Sequence, residues 1–323
     1  MDKYQIPVLG IDLGGTKISG AMVKAHHLMG EQKRRPTPKG ADNIIRALVE
    51  MIEDFKADHQ TIIGVGIATA GIVNPDTGEV IGSTGNLPGW EGTPVKKMIE
   101  AQLNIPLHVE NDANAAAYGE YKALGLDNSH CVLAVTLGTG IGGGIVIGGR
   151  MYRGDHFAAG EVGHIKISMD NKRHCTCGLW DCWEEYGAGR GLVTTAKELL
   201  ASSKPGESSL YEKRETIWTQ DIIDAATAGD ALAIKALDLY HMHISVGIAS
   251  LANTLDPDVV VVTGGMSKFV NFEQLHELVS ERTLPRVRDA LKIHRSVLGE
   301  AAGLVGAADL VLDIAPHTES VHV

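Results

Sequence analysis

One pattern occurs twice in this chain and limits what it can fold into. The run Val8-Leu9-Gly10-Ile11-Asp12-Leu13-Gly14-Gly15-Thr16 is echoed by Val132-Leu133-Ala134-Val135-Thr136-Leu137-Gly138-Thr139-Gly140. Each is an apolar run closed by a polar residue and a glycine-rich turn. Each leads into a second apolar run, Ile18 to Val23 and Gly144 to Ile147. Short apolar runs bounded by glycine read as buried strands entering tight turns. Two such β-turn-β starts predict two related α/β units facing each other. A third strand-to-glycine junction, Val259 to Gly265, lies in the second half.

The segments between these markers follow the same logic. Ile44, Ile45, Leu48, Ile52 and Phe55 recur at helical spacing and predict a helix over Ala41 to Lys56. Strands are expected at Ile62 to Ala68 and Pro106 to Val109. Asn111-Asp112 heads an alanine-rich stretch, Ala113 to Leu124, suited to a helix. That helix is the natural hinge. The units are expected at 1–117 and 118–323, with a C-terminal helix near 300–313 packing back on the first. The polar stretch 201–220 reads as a surface loop, and the last ten residues as a loose tail.

A chain of 323 residues is long enough for two domains with real cores. Apolar residues at 44% and charged residues at 21% place it among globular proteins. The net charge of −11 gives no general attraction for nucleic acid. It does not exclude an anionic substrate, because backbone N–H groups bind phosphate without side-chain charge. No secretory pattern is visible, and no apolar run approaches the roughly 20 residues that span a bilayer. No membrane association is expected, and the cytoplasm is the expected location.

Three sets of residues can carry chemistry. The turns Asp12-Leu13-Gly14-Gly15-Thr16-Lys17 and Thr136-Leu137-Gly138-Thr139-Gly140 put small residues where backbone N–H groups can approach a phosphate. Glycine adds no Cβ there and permits positive φ. Neither has P-loop spacing, and each could be only a tight turn. Asp12 ends the first strand and could hold Mg²⁺ through water. Asp112 could take a proton from a sugar hydroxyl, with Asn111 beside it offering donors and an acceptor. It could equally be a helix N-cap.

The third set is a thiol cluster. Of four cysteines, Cys175, Cys177 and Cys182 lie within eight positions, which suits a metal better than a disulfide framework. His164 in Gly160-Glu161-Val162-Gly163-His164 could complete a tetrahedral Zn²⁺ shell, a closed and therefore structural site. His174 is the alternative fourth ligand. Glu161 and Glu184 flank the cluster and are either sugar ligands or solvated charges. Asn86 is either a sugar ligand or a turn residue.

Taken together, these segments resemble the ROK family of bacterial sugar kinases over nearly the whole chain. Asp12 to Lys17 looks like its first phosphate motif, and Glu110-Asn111-Asp112-Ala113-Asn114-Ala115 like its catalytic motif. Leu137 to Gly144 resembles the second phosphate motif, and Thr263-Gly264-Gly265 the adenosine turn. Ala159 to His164 and the Cys175 to Glu184 segment resemble its two signature segments.

The resemblance implies a two-domain, actin-like fold of the ribonuclease-H type, with ATP and Mg²⁺ in the cleft and a homodimer in solution. It implies Asp112 as base and Gly71, Asn86, Asn111, Glu161, His164 and Glu184 at the sugar. His164 would serve zinc and sugar together. Asn86 to Trp90 and Cys182 to Tyr186 look most like the glucokinase branch, so glucose is the expected hexose. N-acetylglucosamine, N-acetylmannosamine and fructose are alternatives.

A sugar-sensing transcription regulator of the same family would carry a helix-turn-helix module, and eleven residues before Asp12 are too few for one. A non-catalytic sugar-binding protein fits poorly with intact Asp12 and Asp112. Two departures stand out. Asp181 occupies a position where the family usually has glycine; its side chain either points outward or alters the loop path and the electrostatics of the metal site. Ala68-Thr69-Ala70-Gly71 replaces a segment that often carries Pro-Gly.

Overall fold

The computed structural model describes residues 3–59, 62–82, 87–128 and 130–314. The first apolar run forms β1 (Val8–Leu13), which turns into β2 (Lys17–Lys24), followed by β3 (His27–Pro36) and α1 (Ala41–Asp58). Next come β4 (Val65–Thr69), the hairpin of β5 (Ile72–Asn74) and β6 (Glu79–Gly82), α2 (Val95–Glu100), and β7 (Leu107–Asn111), which runs directly into α3 (Asp112–Ala123). The second glycine turn joins β8 (Cys131–Leu137) to β9 (Ile141–Ile147), with β10 (Arg150–Met151) beside it. Helices α4 (Glu184–Gly187), α5 (Gly189–Leu200), α6 (Thr219–Thr227) and α7 (Ala231–Leu255) lead to β11 (Val259–Thr263). The chain closes with α8 (Phe272–Ser280), α9 (Pro285–Ala290), β12 (Lys292–Arg295) and α10 (Ala302–Ile314).

The echo in the sequence extends to topology. One sheet has the order β3-β2-β1-β4-β7, the other β10-β9-β8-β11-β12. In each, the glycine turn joins an antiparallel hairpin, and two further strands add in parallel. Thr69 pairs with Asn111 in the first sheet, and Thr263 with Thr136 in the second. The parallel strands therefore end level with each other, and ligands of open α/β sheets bind at such carboxyl ends.

Each sheet is covered on one face by its own helices. Ile44, Ile45, Leu48, Ile52 and Phe55 of α1 are all buried in the core beneath β1 and β4. The opposite faces are covered by exchange. α3 leaves the first sheet and packs on β8 and β9, while α10 leaves the second and packs on β1, β4 and β7. The two helices also pack on each other. Glycine makes room for α10: a Cβ on Gly66 of β4 would lie 1.9 Å from the Ala307 carbonyl oxygen, and one on Gly306 of α10 1.7 Å from that of Ala115 on α3.

α3 is continuous across residue 117, so the first sheet is tied to the second by an unbroken helix. The 201–220 segment is less loose than its composition suggests. Leu210 and Ile217 are buried and pin it, and α6 already starts at Thr219. The expected tail falls on 315–323, outside the described residues. Among the described residues no helix is long and apolar enough to cross a membrane.

Candidate active site

Asn111, not Asp112, caps α3. Its Oδ1 accepts from the backbone N–H groups of Ala113 and Asn114 at 2.9 and 3.0 Å. Its Nδ2 donates to the Gly71 carbonyl at 2.9 Å, with Gly71 held at φ 104. The Asn111 acceptor is thus consumed by the helix, and one Nδ2 hydrogen remains for a ligand. The capping role read as the alternative for Asp112 is filled by its neighbour.

Asp112 is the first residue of the helix, and its Oδ1 accepts from the N–H of Ala113 at 2.8 Å. Burial pushes its carboxyl up to about 7, and the charges of Asp12 and Glu161 add to the effect. Asp12, at the end of β1, is pushed up to about 6, also by burial first, with Lys17 opposing and Glu300 adding. Glu161 is raised by burial and by Glu184, while His164 pulls it down. Asp112 therefore lies in the field of Asp12 and Glu161, and Glu161 in that of His164 and Glu184.

His164 faces two ways. Its Nε2 lies 3.8 Å from Glu161 Oε2, and its Nδ1 lies 3.8 Å from Cys175 Sγ. Cys177 Sγ and Cys182 Sγ are 3.6 Å apart, and all four ligand atoms lie within 4.8 Å of one another. A tetrahedron with zinc–sulfur bonds of about 2.3 Å has edges of about 3.8 Å. The donor set and its spacing fit Zn²⁺. His174, the alternative ligand, packs edge-on against Trp180 instead, with ring centroids 4.9 Å apart.

Glu184 is turned toward the second glycine turn. Its Oε2 accepts from Ile141 N–H at 2.8 Å, and Oε1 pairs with Arg190. A Cβ on Gly140 would collide with this carboxylate, 2.1 Å from Oε2. Asn86 lies outside the described residues. Further along the chain, Trp90 is buried, and its Nε1 donates to Thr69 Oγ1 at 2.9 Å.

The two glycine turns lie at the strand ends. Gly14 N–H closes the first turn on the Lys17 carbonyl at 3.0 Å, and Gly138 N–H closes the second on Gly140 at 2.9 Å. None of Gly14, Gly15, Gly138 and Gly140 lies in the left-handed region, so freedom of φ does not explain them; at Gly140 the close approach of the Glu184 carboxylate does. Gly264 alone among these turn glycines has positive φ, at 84, and a Cβ there would meet the Leu137 carbonyl at 2.4 Å. Thr16 lies in the first turn, its carbonyl accepting from Thr37 N–H at 3.0 Å. Lys17 Nζ is 3.4 Å from Glu300. Thr136 Oγ1 accepts from Gly142 N–H at 3.1 Å, so it stiffens the second hairpin.

Gly138, Thr139 and Gly265 line a cleft of about 470 Å³ together with Arg190, Trp218 and Lys268. Trp218 is 62% exposed there, an unusual state for so large an apolar ring. It and Arg190 carry no local signal in the sequence. Only the fold brings them to the site.

Residues 8–314 match the sequence profile described as the ROK family. The chain is 34% identical to a glucokinase of Halalkalibacterium halodurans over 94% of each chain. It is 35% identical to a glucokinase of Streptomyces coelicolor, over 95% of this chain and 98% of that one. The crystal structure of a glucokinase from Streptomyces griseus with glucose and AMPPNP superposes with a TM-score of 0.76 at 33% identity, covering 94% of this chain and 99% of that chain. A ROK hexokinase structure from Thermus thermophilus superposes with a TM-score of 0.79 at 32% identity, covering 94% of this chain and 97% of that chain, and the chain has the expected actin-like α/β fold.

Proposed function

The chain belongs to the ROK family, and from its similarity to glucokinases along nearly its whole length we propose that it is a sugar kinase, moving the γ-phosphoryl of ATP to the 6-hydroxyl of a hexose. Glucose is the preferred hexose, because both curated relatives named above are glucokinases. The observation that carries the reading is Asp112, a half-buried carboxyl at the head of α3, beside Asp12 and Glu161, whose pKa is raised to about 7. A base of that strength is matched to neutral pH and can take the hydroxyl proton as the oxygen bonds to phosphorus.

The remaining roles follow from position. Glu161, His164 Nε2 and the free Nδ2 hydrogen of Asn111 face the hydroxyls. Glu184 must leave Arg190 and the Ile141 N–H before it reaches a sugar. Gly14, Gly15, Thr16, Lys17, Gly138, Thr139 and Gly140 receive the phosphates. Gly264 and Gly265 hold the adenosine, with Trp218 and Met266 as an apolar wall for the base. The desolvated carboxyl of Asp12 suits Mg²⁺, which would supply charge neutralisation at the phosphates. His164, Cys175, Cys177 and Cys182 would hold Zn²⁺ as a structural ion that fixes the sugar side of the cleft. Closure of units 1–117 and 118–323 would exclude water as a competing acceptor. A homodimer and a cytoplasmic setting complete the proposal.

The test is a panel of hexoses and amino sugars with ATP and Mg²⁺ in a coupled assay. Glucose should give the highest kcat/KM. A higher value for an N-acetylated sugar would move the proposal to that branch, and no sugar-dependent ATP consumption at all would end it.

A further inference from the structure

Asp181 does not point outward. It is 1% exposed and sits at φ 56, the left-handed region where glycine is favoured. A residue held there against preference, at a buried position, calls for a compensating role.

Its polar atoms supply one. The Asp181 N–H donates to the Arg173 carbonyl at 2.8 Å, and its carbonyl accepts from Ile167 N–H at 3.2 Å. Oδ1 accepts from Arg173 N–H at 2.9 Å, Lys172 N–H at 3.1 Å and the Tyr186 hydroxyl at 2.7 Å. Single β-bridges flank it, Lys166 with Cys182 and His174 with Trp180. Arg173 extends the network: its guanidinium lies 4.2 Å from the Tyr186 ring centroid and donates to the Glu185 carbonyl at 2.8 Å and to Thr195 Oγ1 at 3.0 Å. One carboxylate thus joins both arms of the cysteine loop to α4 and, through Arg173, to α5. Glycine at 181 would ease the backbone and leave three donors without this acceptor.

We propose that Asp181 is a positioning residue that holds the two arms of the cysteine loop in the register where its thiols meet His164. The proposal rests on the zinc reading for its consequence, though the register itself does not need metal. Because α4 begins at Glu184, the same lock fixes the sugar side of the cleft.

The test compares Asp181→Gly and Asp181→Asn with the unaltered protein. Metal release to a chromophoric zinc chelator should be about 10-fold or more faster in Asp181→Gly, the range seen when groups supporting metal ligands are removed. Asp181→Asn keeps one acceptor oxygen and should recover part of the loss. The KM for sugar should rise in Asp181→Gly while that for ATP stays. Hydrogen exchange at the amides of Cys175 and Trp183, whose bonds to Leu179 and Ile165 report the register, should speed up. Equal release and equal exchange in Asp181→Gly would overturn the proposal. If the unaltered protein holds no zinc, the zinc reading fails and exchange alone decides the register. If Asp181→Gly does not fold, the same comparisons are made on Asp181→Asn.

Discussion

Arg153 donates from Nε and Nη2 to a single oxygen of Glu110, Oε2, at 2.9 and 2.6 Å. Arg153 follows β10 in the second sheet, and Glu110 lies on β7 in the first. Their pair crosses the molecule directly behind Asn111 and Asp112. The other Glu110 oxygen accepts from Asn111 N–H and Asn114 Nδ2, both at 3.1 Å. Burial would raise the Glu110 carboxyl, but His108 and Arg153 outweigh it and hold it below its usual range.

Arg153→Ala should therefore cost about 3 kcal/mol, since removing one partner leaves a buried charge uncompensated. Urea unfolding measures it. A loss under about 1 kcal/mol would mean that water replaces the guanidinium. Turnover should also fall, because the turn bearing Asp112 loses its brace.

Asp112→Asn keeps the shape and removes the base. Turnover should drop by about 10²- to 10⁴-fold with little change in either KM. Steady-state kinetics with ATP and glucose decide this, and activity within threefold of the unaltered enzyme would exclude Asp112 as base.

The pH dependence follows from the same carboxyl. Only its ionised form accepts a proton, so kcat/KM should rise with pH through about 7. Stability has the opposite sign. A carboxyl raised from 3.8 when folded binds its proton more tightly than the unfolded chain does. That contribution is full below pH 3.8 and disappears as pH rises through 7. Glu161→Gln removes one of the charges that raise Asp112 and should move the kinetic limb to lower pH.

Gly306→Ala tests the α3–α10 contact. Helix propensity favours alanine by about 1 kcal/mol. The added Cβ would lie 1.7 Å from the Ala115 carbonyl oxygen, and backbone cannot yield cheaply. The clash should win, with a net loss of about 1–3 kcal/mol. Gly303→Ala is the control, because its nearest neighbours are at 3.6 Å or beyond; its melting temperature should hold or rise.

Trp218→Ala should raise the KM for ATP about tenfold, the scale of one lost base–aromatic stack, and leave that for sugar unchanged. Trp218→Phe should retain most of the affinity. Equal KM values for ATP in all three proteins would remove Trp218 from the nucleotide site.

Much of this protein is written locally. Strands that alternate with glycine turns announce themselves because burial and tight turns each restrict residue type at the position concerned. The echo of Val8 to Thr16 in Val132 to Gly140 was enough to predict two matching sheets, and three cysteines beside a histidine were enough to suggest one metal site. The sequence could not say which of Asn111 and Asp112 caps α3, since both side chains suit that role. Geometry decided it, by aiming Asn111 Oδ1 at two N–H groups. Nor could it say which way Asp181 faces, because a carboxylate is normally solvated and only its three donors, the N–H groups of Lys172 and Arg173 and the Tyr186 hydroxyl, make burial favourable. The exchange of α3 and α10 between sheets, the Arg153–Glu110 pair and the position of Trp218 join residues 43 or more apart in sequence or lie in segments without periodicity. Local composition fixed what each segment could become; only the packing of one sheet against the helix of the other determined which charges would share the cleft.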